Sequence, residues 1–176
     1  ALREANGFQI DPDEIESLIT DKTKAILINT PGNPTGGVAE KAVLQRIADI
    51  AIEKDLLVLT DEIYERLIYE GEHVSIASLP DMEERTIVLN GFSKSYAMTG
   101  WRIGYGGGPK ALIKAMAIVQ SQSTSCPSSI SQAAALEALS GDQRLLAERC
   151  RSFQERRDMV VAGLNAIPGL SCRMPE

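Results

Sequence analysis

The sequence predicts an α/β fold in which a mostly parallel sheet is flanked by helices. Three observations lead there. Short apolar runs end abruptly at turn-forming or acidic residues, a helical repeat separates the first two runs, and later segments carry long helical patterns. The composition, 44% hydrophobic and 24% charged over 176 residues, is ordinary for a globular chain with a real core.

Taken in order, Asp11 to Thr20 reads as a short helix, with Asp11 as N-cap, Pro12 in the first turn, and Ile15, Leu18 and Ile19 on one face. Ala25 to Asn29 is a continuous apolar run, the pattern of a buried parallel strand, and stops at the turn-rich stretch from Thr30 to Gly37. Residues 39 to 53 place Val43, Leu44, Ile47, Ala48, Ile50 and Ala51 at helical spacing and read as a crossover helix. Leu56 to Thr60 is a second buried strand ending at Asp61, and Thr86 to Leu89 a third ending at Asn90-Gly91. Trp101 to Tyr105 reads as a further strand, with Gly106 to Gly108 as a turn at its end. Lys110 to Gln120, Ser128 to Leu139 and Asp142 to Ala166 read as helices, the last stopped by Pro168-Gly169. Repeats, low-complexity tracts and coiled-coil heptads are absent from the sequence.

Several function classes are disfavoured at this level. The net charge of −6 is spread along the chain, which is wrong for a nucleic-acid surface. No run approaches the roughly 18 apolar residues of a membrane span, and the first residues lack a basic-then-apolar leader pattern, so a cytoplasmic protein is expected. Cys126, Cys150 and Cys172 lack C-x-x-C spacing and are expected to be reduced and buried. The single histidine, His73, cannot build a metal site alone and is expected in a surface loop. With no initiator Met and a last stretch, Arg173 to Glu176, that reads as mid-loop, the chain is expected to be an internal piece of a longer protein.

In open α/β sheets a ligand sits beyond the carboxyl ends of the strands. That directs attention to Asn33, Asp61 and the segment from Asn90 to Arg102. Asn33-Pro34-Thr35-Gly36 taken alone is a tight turn. Asp61 reads equally as a helix N-cap for Glu62 to Arg66, and Tyr64 as packing. The segment from Asn90 to Tyr105 differs. It sets Lys94 among apolar and aromatic residues, eight positions before Arg102, with Ser93, Ser95 and Thr99 nearby. A lysine in low-polarity surroundings has its pKa lowered and becomes a nucleophilic amine and a base. An arginine presents a planar fork suited to a phosphate.

The run G-F-S-K-S-Y-A-M-T-G-W-R-I-G closely resembles the lysine signature of the class I and II aminotransferases. Asn33-Pro34-Thr35-Gly36 and Asp61-Glu62-Ile63-Tyr64 resemble the two motifs that precede it in that family, in the family's order and spacing. The resemblance covers nearly the whole chain, which in turn covers less than half of a typical member. It implies the large domain of the PLP-transferase fold, truncated, over residues 1–141, with residues 142–176 as a long connecting helix and the start of a small C-terminal domain. It also implies pyridoxal 5'-phosphate (PLP) as cofactor, joined to Lys94 as an aldimine, with Lys94 then moving the substrate's proton. By the same resemblance Asp61 would pair with the pyridine nitrogen, and Asn33 and Tyr64 would hydrogen-bond the phenolic oxygen. Asn33 would also touch the substrate carboxylate, and Arg102 would clamp the phosphate. Some members carry a phosphate-binding serine where this chain has Gly91, and Ser93 is the substitute hydroxyl here. No metal is implied.

The activity so implied is transfer of an α-amino group between an amino acid and a 2-oxo acid, in a homodimeric parent, the piece itself being expected to be inactive. Two alternatives share the scaffold: a PLP-dependent lyase or decarboxylase, and the PLP-sensing domain of a transcription regulator.

Overall fold

The computed structural model describes residues 2–176. Its regular elements are α1 (Pro12–Ser17), β1 (Ala25–Asn29), α2 (Lys41–Glu53), β2 (Leu57–Asp61), β3 (Thr86–Gly91), β4 (Gly104–Gly107), α3 (Lys110–Ser123), α4 (Ser129–Ser140) and α5 (Arg144–Asn165). The sheet runs β1-β2-β3-β4, with the first three strands parallel and β4 antiparallel to β3. The register sets Asn29 opposite Asp61 and Asp61 opposite Leu89. Three strand ends therefore open onto one edge, and the loops that follow them meet there.

The capping reading of Asp11 holds: its Oδ1 accepts from the amides of Asp13 (3.1 Å) and Glu14 (3.2 Å), two of the donors a helix start leaves unpaired. α2 lies on one face of the sheet because its apolar stripe needs cover. Leu44, Ile47, Ala48, Ile50 and Ala51 are fully buried, in one cluster with Ile26, Ile28, Val58, Ile76 and Met82. Each large side chain so buried contributes on the order of 1.5–3 kcal/mol. A smaller cluster of Phe92, Met98 and Ala135, with Tyr96 and Ile103 packed on it, ties the segment after β3 to α4.

Three element expectations are corrected. β1 is covered on one face only: Ile26 and Ile28 are buried whereas Leu27 is 72% exposed on the other. The last strand starts at Gly104, because Thr99–Trp101 is a single 3-10 turn and Arg102 takes a left-handed backbone (φ 50°). Gly106 and Gly107 thus belong to β4, and are not a turn after it. Gly104 is suited to this pairing, since a Cβ there would stand 2.9 Å from the Asn90 carbonyl oxygen. Residues 63–66 form turns after β2 and not the helix that Asp61 was expected to cap.

The cysteines are free thiols, with Cys126 exposed and Cys150 and Cys172 half-buried, so full burial does not hold for any of them. Burial nonetheless pushes the Cys150 thiol up from its ordinary value. Among the described residues, no helix is long and apolar enough to cross a membrane.

Candidate active site

The loop after β1 is built by its own side chains. The Asn29 Oδ1 accepts from the Asn33 amide (2.9 Å), and the buried Thr30 Oγ1 accepts from the Ala39 amide (2.9 Å). Gly36, at φ 69°, closes the turn by donating to the Gly32 carbonyl (2.8 Å), a backbone setting that a side chain disfavours. The Thr30–Pro31 and Asn33–Pro34 peptide bonds are both cis. Asn33 is thereby held out at the sheet edge, where its Nδ2 donates to the Tyr64 hydroxyl at 3.3 Å.

Asp61 ends β2, and its Oδ1 accepts from the Ile63 amide at 3.2 Å, an Asx-type turn that leads the chain round to Tyr64. After β3 the chain folds back on itself. Phe92 and Met98 are buried and their backbones are joined by Met98 N–H to Phe92 O (3.2 Å), while the Ala97 amide donates to Lys94 O (3.1 Å). Phe92 also packs on the rings of Tyr96 and Tyr105, with centroids 5.4 and 5.7 Å away. Lys94 stands at the apex of this anchored loop. Ala97 and Arg102, at φ 53° and 50°, adopt the left-handed conformation that non-glycine residues seldom take, and such departures gather at functional loops.

The Lys94 ammonium reaches over the Tyr64 ring, 5.6 Å from its centroid. Asn33, Tyr64, Ser93 and Lys94 line one wall of a cleft of about 810 Å³. The other wall comes from Phe153, Arg156, Arg157 and Val160 of α5 and from the last residues of the chain. Lys94 is exposed, so the apolar enclosure expected of it from sequence is not found; what faces its amine is the aromatic ring and the open cleft. Asp61 and Arg102 do not line this cleft. Asp61 sits at the neighbouring strand end, and Arg102 is exposed at the border, its Nη1 donating to the carbonyl of the cleft residue Thr99 at 3.0 Å. Gly91 is buried where a serine was considered. A Cβ there would lie 3.1–3.3 Å from Ile63 Cδ1, Gly104 Cα and Ile103 O, so this packing favours glycine.

Sequence reasoning missed the α5 wall, which rests on tertiary placement. Within it Arg157 is only 7% exposed: it bonds Glu70 (2.9 Å) and the Pro175 carbonyl (2.8 Å), and lies over the Tyr69 ring (4.9 Å). Burial raises the Tyr69 phenol above its ordinary value, the Cys150 thiol adds to this and the Arg157 cation offsets part of it. Tyr69 is therefore a hydrogen-bonding wall and not a base near neutrality. His73 is also misread from sequence. It is largely buried against Glu62 and not a solvated loop residue.

The family model described as "Aminotransferase class I and II" matches residues 1–176. An aspartate aminotransferase of Rhizobium meliloti (strain 1021) is 51% identical over 175 residues, covering 98% of this chain and 43% of that protein. An aspartate/prephenate aminotransferase of Thermus thermophilus is 48% identical over 173 residues, covering 97% of this chain and 44% of that protein. The crystal structure of the Rhizobium meliloti aspartate aminotransferase superposes with a TM-score of 0.95 at 50% identity, covering 99% of this chain and 44% of that one. The chain thus spans less than half the length of the relatives it matches.

Proposed function

Since the chain belongs to the class I and II aminotransferases, we propose that it carries the PLP-binding half-site of a transaminase that moves an α-amino group between an amino acid and a 2-oxo acid. The observation that carries this reading is the convergence of Lys94, Tyr64 and Asn33 from three separate loops onto one cleft. Aspartate is the amino donor we propose, in keeping with the relatives' names. Residues 1–141 are read as part of the cofactor domain, with 142–176 leading into a second domain, and the whole protein is read as a homodimer. The lyase and regulator alternatives are not favoured by relatives that are named as aminotransferases.

The residues present suit the cofactor. PLP, when bound, supplies an aldehyde that an amine can capture and a protonated ring that withdraws electrons from the substrate's Cα. Lys94 offers the amine at the apex of a braced loop, open to the cleft. Asp61 offers a carboxylate at the adjacent strand end, the partner a ring N–H requires. Tyr64 Oη and Asn33 Nδ2, already hydrogen-bonded to each other, offer two donors for one oxyanion, and Asn33 a contact for a substrate carboxylate. Arg102 retains its Nη2 and Nε for a phosphate, with Ser93 adding a hydroxyl. A Lys94 amine not engaged by the cofactor would be the mobile general base that accepts the proton from the substrate's Cα and gives it up again.

The test is an absorption titration of the chain with PLP, repeated for Lys94→Ala. A band that needs Lys94 and changes on adding aspartate is expected. Absence of any Lys94-dependent band, in both this chain and the full-length protein, overturns the assignment.

A further inference from the structure

Behind the turn that carries Asp61 and Tyr64 lies a buried polar cluster that the cleft does not use. Glu62 is 2% exposed, and its Oε1 accepts from Thr60 Oγ1 (3.1 Å) and Ser75 Oγ (2.8 Å). His73 Nε2 lies 2.9 Å from Glu62 Oε2, a hydrogen bond in which Nε2 donates when it carries the imidazole proton, while His73 Nδ1 is buried without a hydrogen-bond partner among the described residues. With Nε2 as the donor, three donors meet a carboxylate that burial would otherwise make costly. A Glu65 carboxylate oxygen also comes within 4.8 Å of ligand atoms on Glu62 and His73, so loss of the imidazole leaves two carboxylates facing one another.

Glu62 lies in the turn between two candidate cofactor ligands, directly after Asp61 and two residues before Tyr64. Glu62 directly follows β2 and bonds the buried Thr60, so it continues the alternation of the strand, and anchoring it on the Thr60 side directs Asp61 to the opposite side. The backbone of Glu62 is pinned too, its amide donating to Leu89 O (2.9 Å) and its carbonyl accepting from the Glu65 amide (2.9 Å) across Tyr64. The Ile63 amide donates to Asp61 Oδ1, and therefore reports where that carboxylate stands.

We propose that Glu62, clamped by His73 and Ser75, is a positioning residue that aims the Asp61 carboxylate and the Tyr64 hydroxyl at the cofactor. This rests on the reading of Asp61 and Tyr64 as cofactor ligands given above. Glu62 itself touches neither cofactor nor substrate; it acts through the turn.

The experiment compares wild type, Ser75→Ala, His73→Leu and His73→Gln by amide hydrogen exchange of the cofactor-free chain and by PLP titration. Ser75→Ala and His73→Leu are expected to speed exchange at Ile63 and Glu65 at least tenfold and leave Leu44, inside α2, unchanged. His73→Gln, which keeps a donor, is expected to restore most of the protection. In the titration the same two variants are expected to weaken PLP binding at least fivefold and to shift the Lys94-dependent band, with rescue by His73→Gln. Unchanged exchange at Ile63 and Glu65 overturns the proposal, as does equal acceleration at Leu44, which marks a role in folding alone. Altered exchange with unaltered PLP affinity and band also overturns it. If neither this chain nor the full-length protein gives a Lys94-dependent band, the cofactor reading fails separately, and the clamp on the turn is decided by exchange.

Discussion

Asn33 and Tyr64 acquire meaning only by meeting. Each is a commonplace residue in its own loop, yet the 3.3 Å contact between them makes a paired donor set beside Lys94. Removing one donor from an anion costs about 1.5 kcal/mol or more, which is on the order of a tenfold change in affinity. Tyr64→Phe and Asn33→Ala are each expected to weaken PLP binding about tenfold, read from the absorption titration. Lys94 was legible in sequence because a lysine among Phe92, Tyr96, Met98 and Trp101 is out of place on a plain surface. Its exposure was not, because Phe92, Tyr96 and Met98 are spent in bracing the loop, Trp101 is itself exposed, and none of them covers the amine. His73 was misread for a related reason: a histidine in the stretch from Gly71 to Val74 looks solvated until Glu62, eleven residues earlier, is seen to pack against it.

Among the elements, the two faces of the sheet contrast most. Leu44→Ala on α2 deletes a fully buried side chain and is expected to cost about 2–5 kcal/mol in urea denaturation. Leu27→Ala, on the uncovered face of β1, is expected to change stability by less than about 0.5 kcal/mol. Asp142, just before α5, accepts from the backbone amide and Nε of Arg144 (2.9 and 2.7 Å), and the Arg144 guanidinium, with the amide behind it, holds its carboxyl below the ordinary value of 3.8. A lowered folded-state pKa means that this support is complete above the ordinary value and is lost as pH falls through the folded one. A proton titration followed by NMR should therefore find Asp142 ionised below the usual aspartate range, and Arg144→Ala should return it to that range. Helices and parallel strands were legible because 3.6- and continuous-apolar patterns differ clearly. β4 was not, since a glycine-rich strand carries no side-chain pattern, and its pairing is dictated by β3.

For the molecule as a whole, Arg157 joins parts distant in sequence: α5, Glu70 and the Pro175 carbonyl. Arg157→Met keeps the stem and removes the donors, and is expected to cost about 1–3 kcal/mol and to loosen residues 172–176, as limited proteolysis would detect. The parallel topology with loops at one edge could be read from the order of runs, whereas the α5 wall of the cleft could not, because no local pattern encodes which helix closes a site. The aligned register of β1, β2 and β3 carries a kinetic consequence. Asn33, Tyr64 and Lys94 each sit on a loop after a different strand, so no two-strand intermediate contains the complete trio. On the proposed reading, capture of PLP would act as a clock for completion of the sheet. In stopped-flow refolding its signal should lag behind helix formation and coincide with the slow, non-local pairing of the strands.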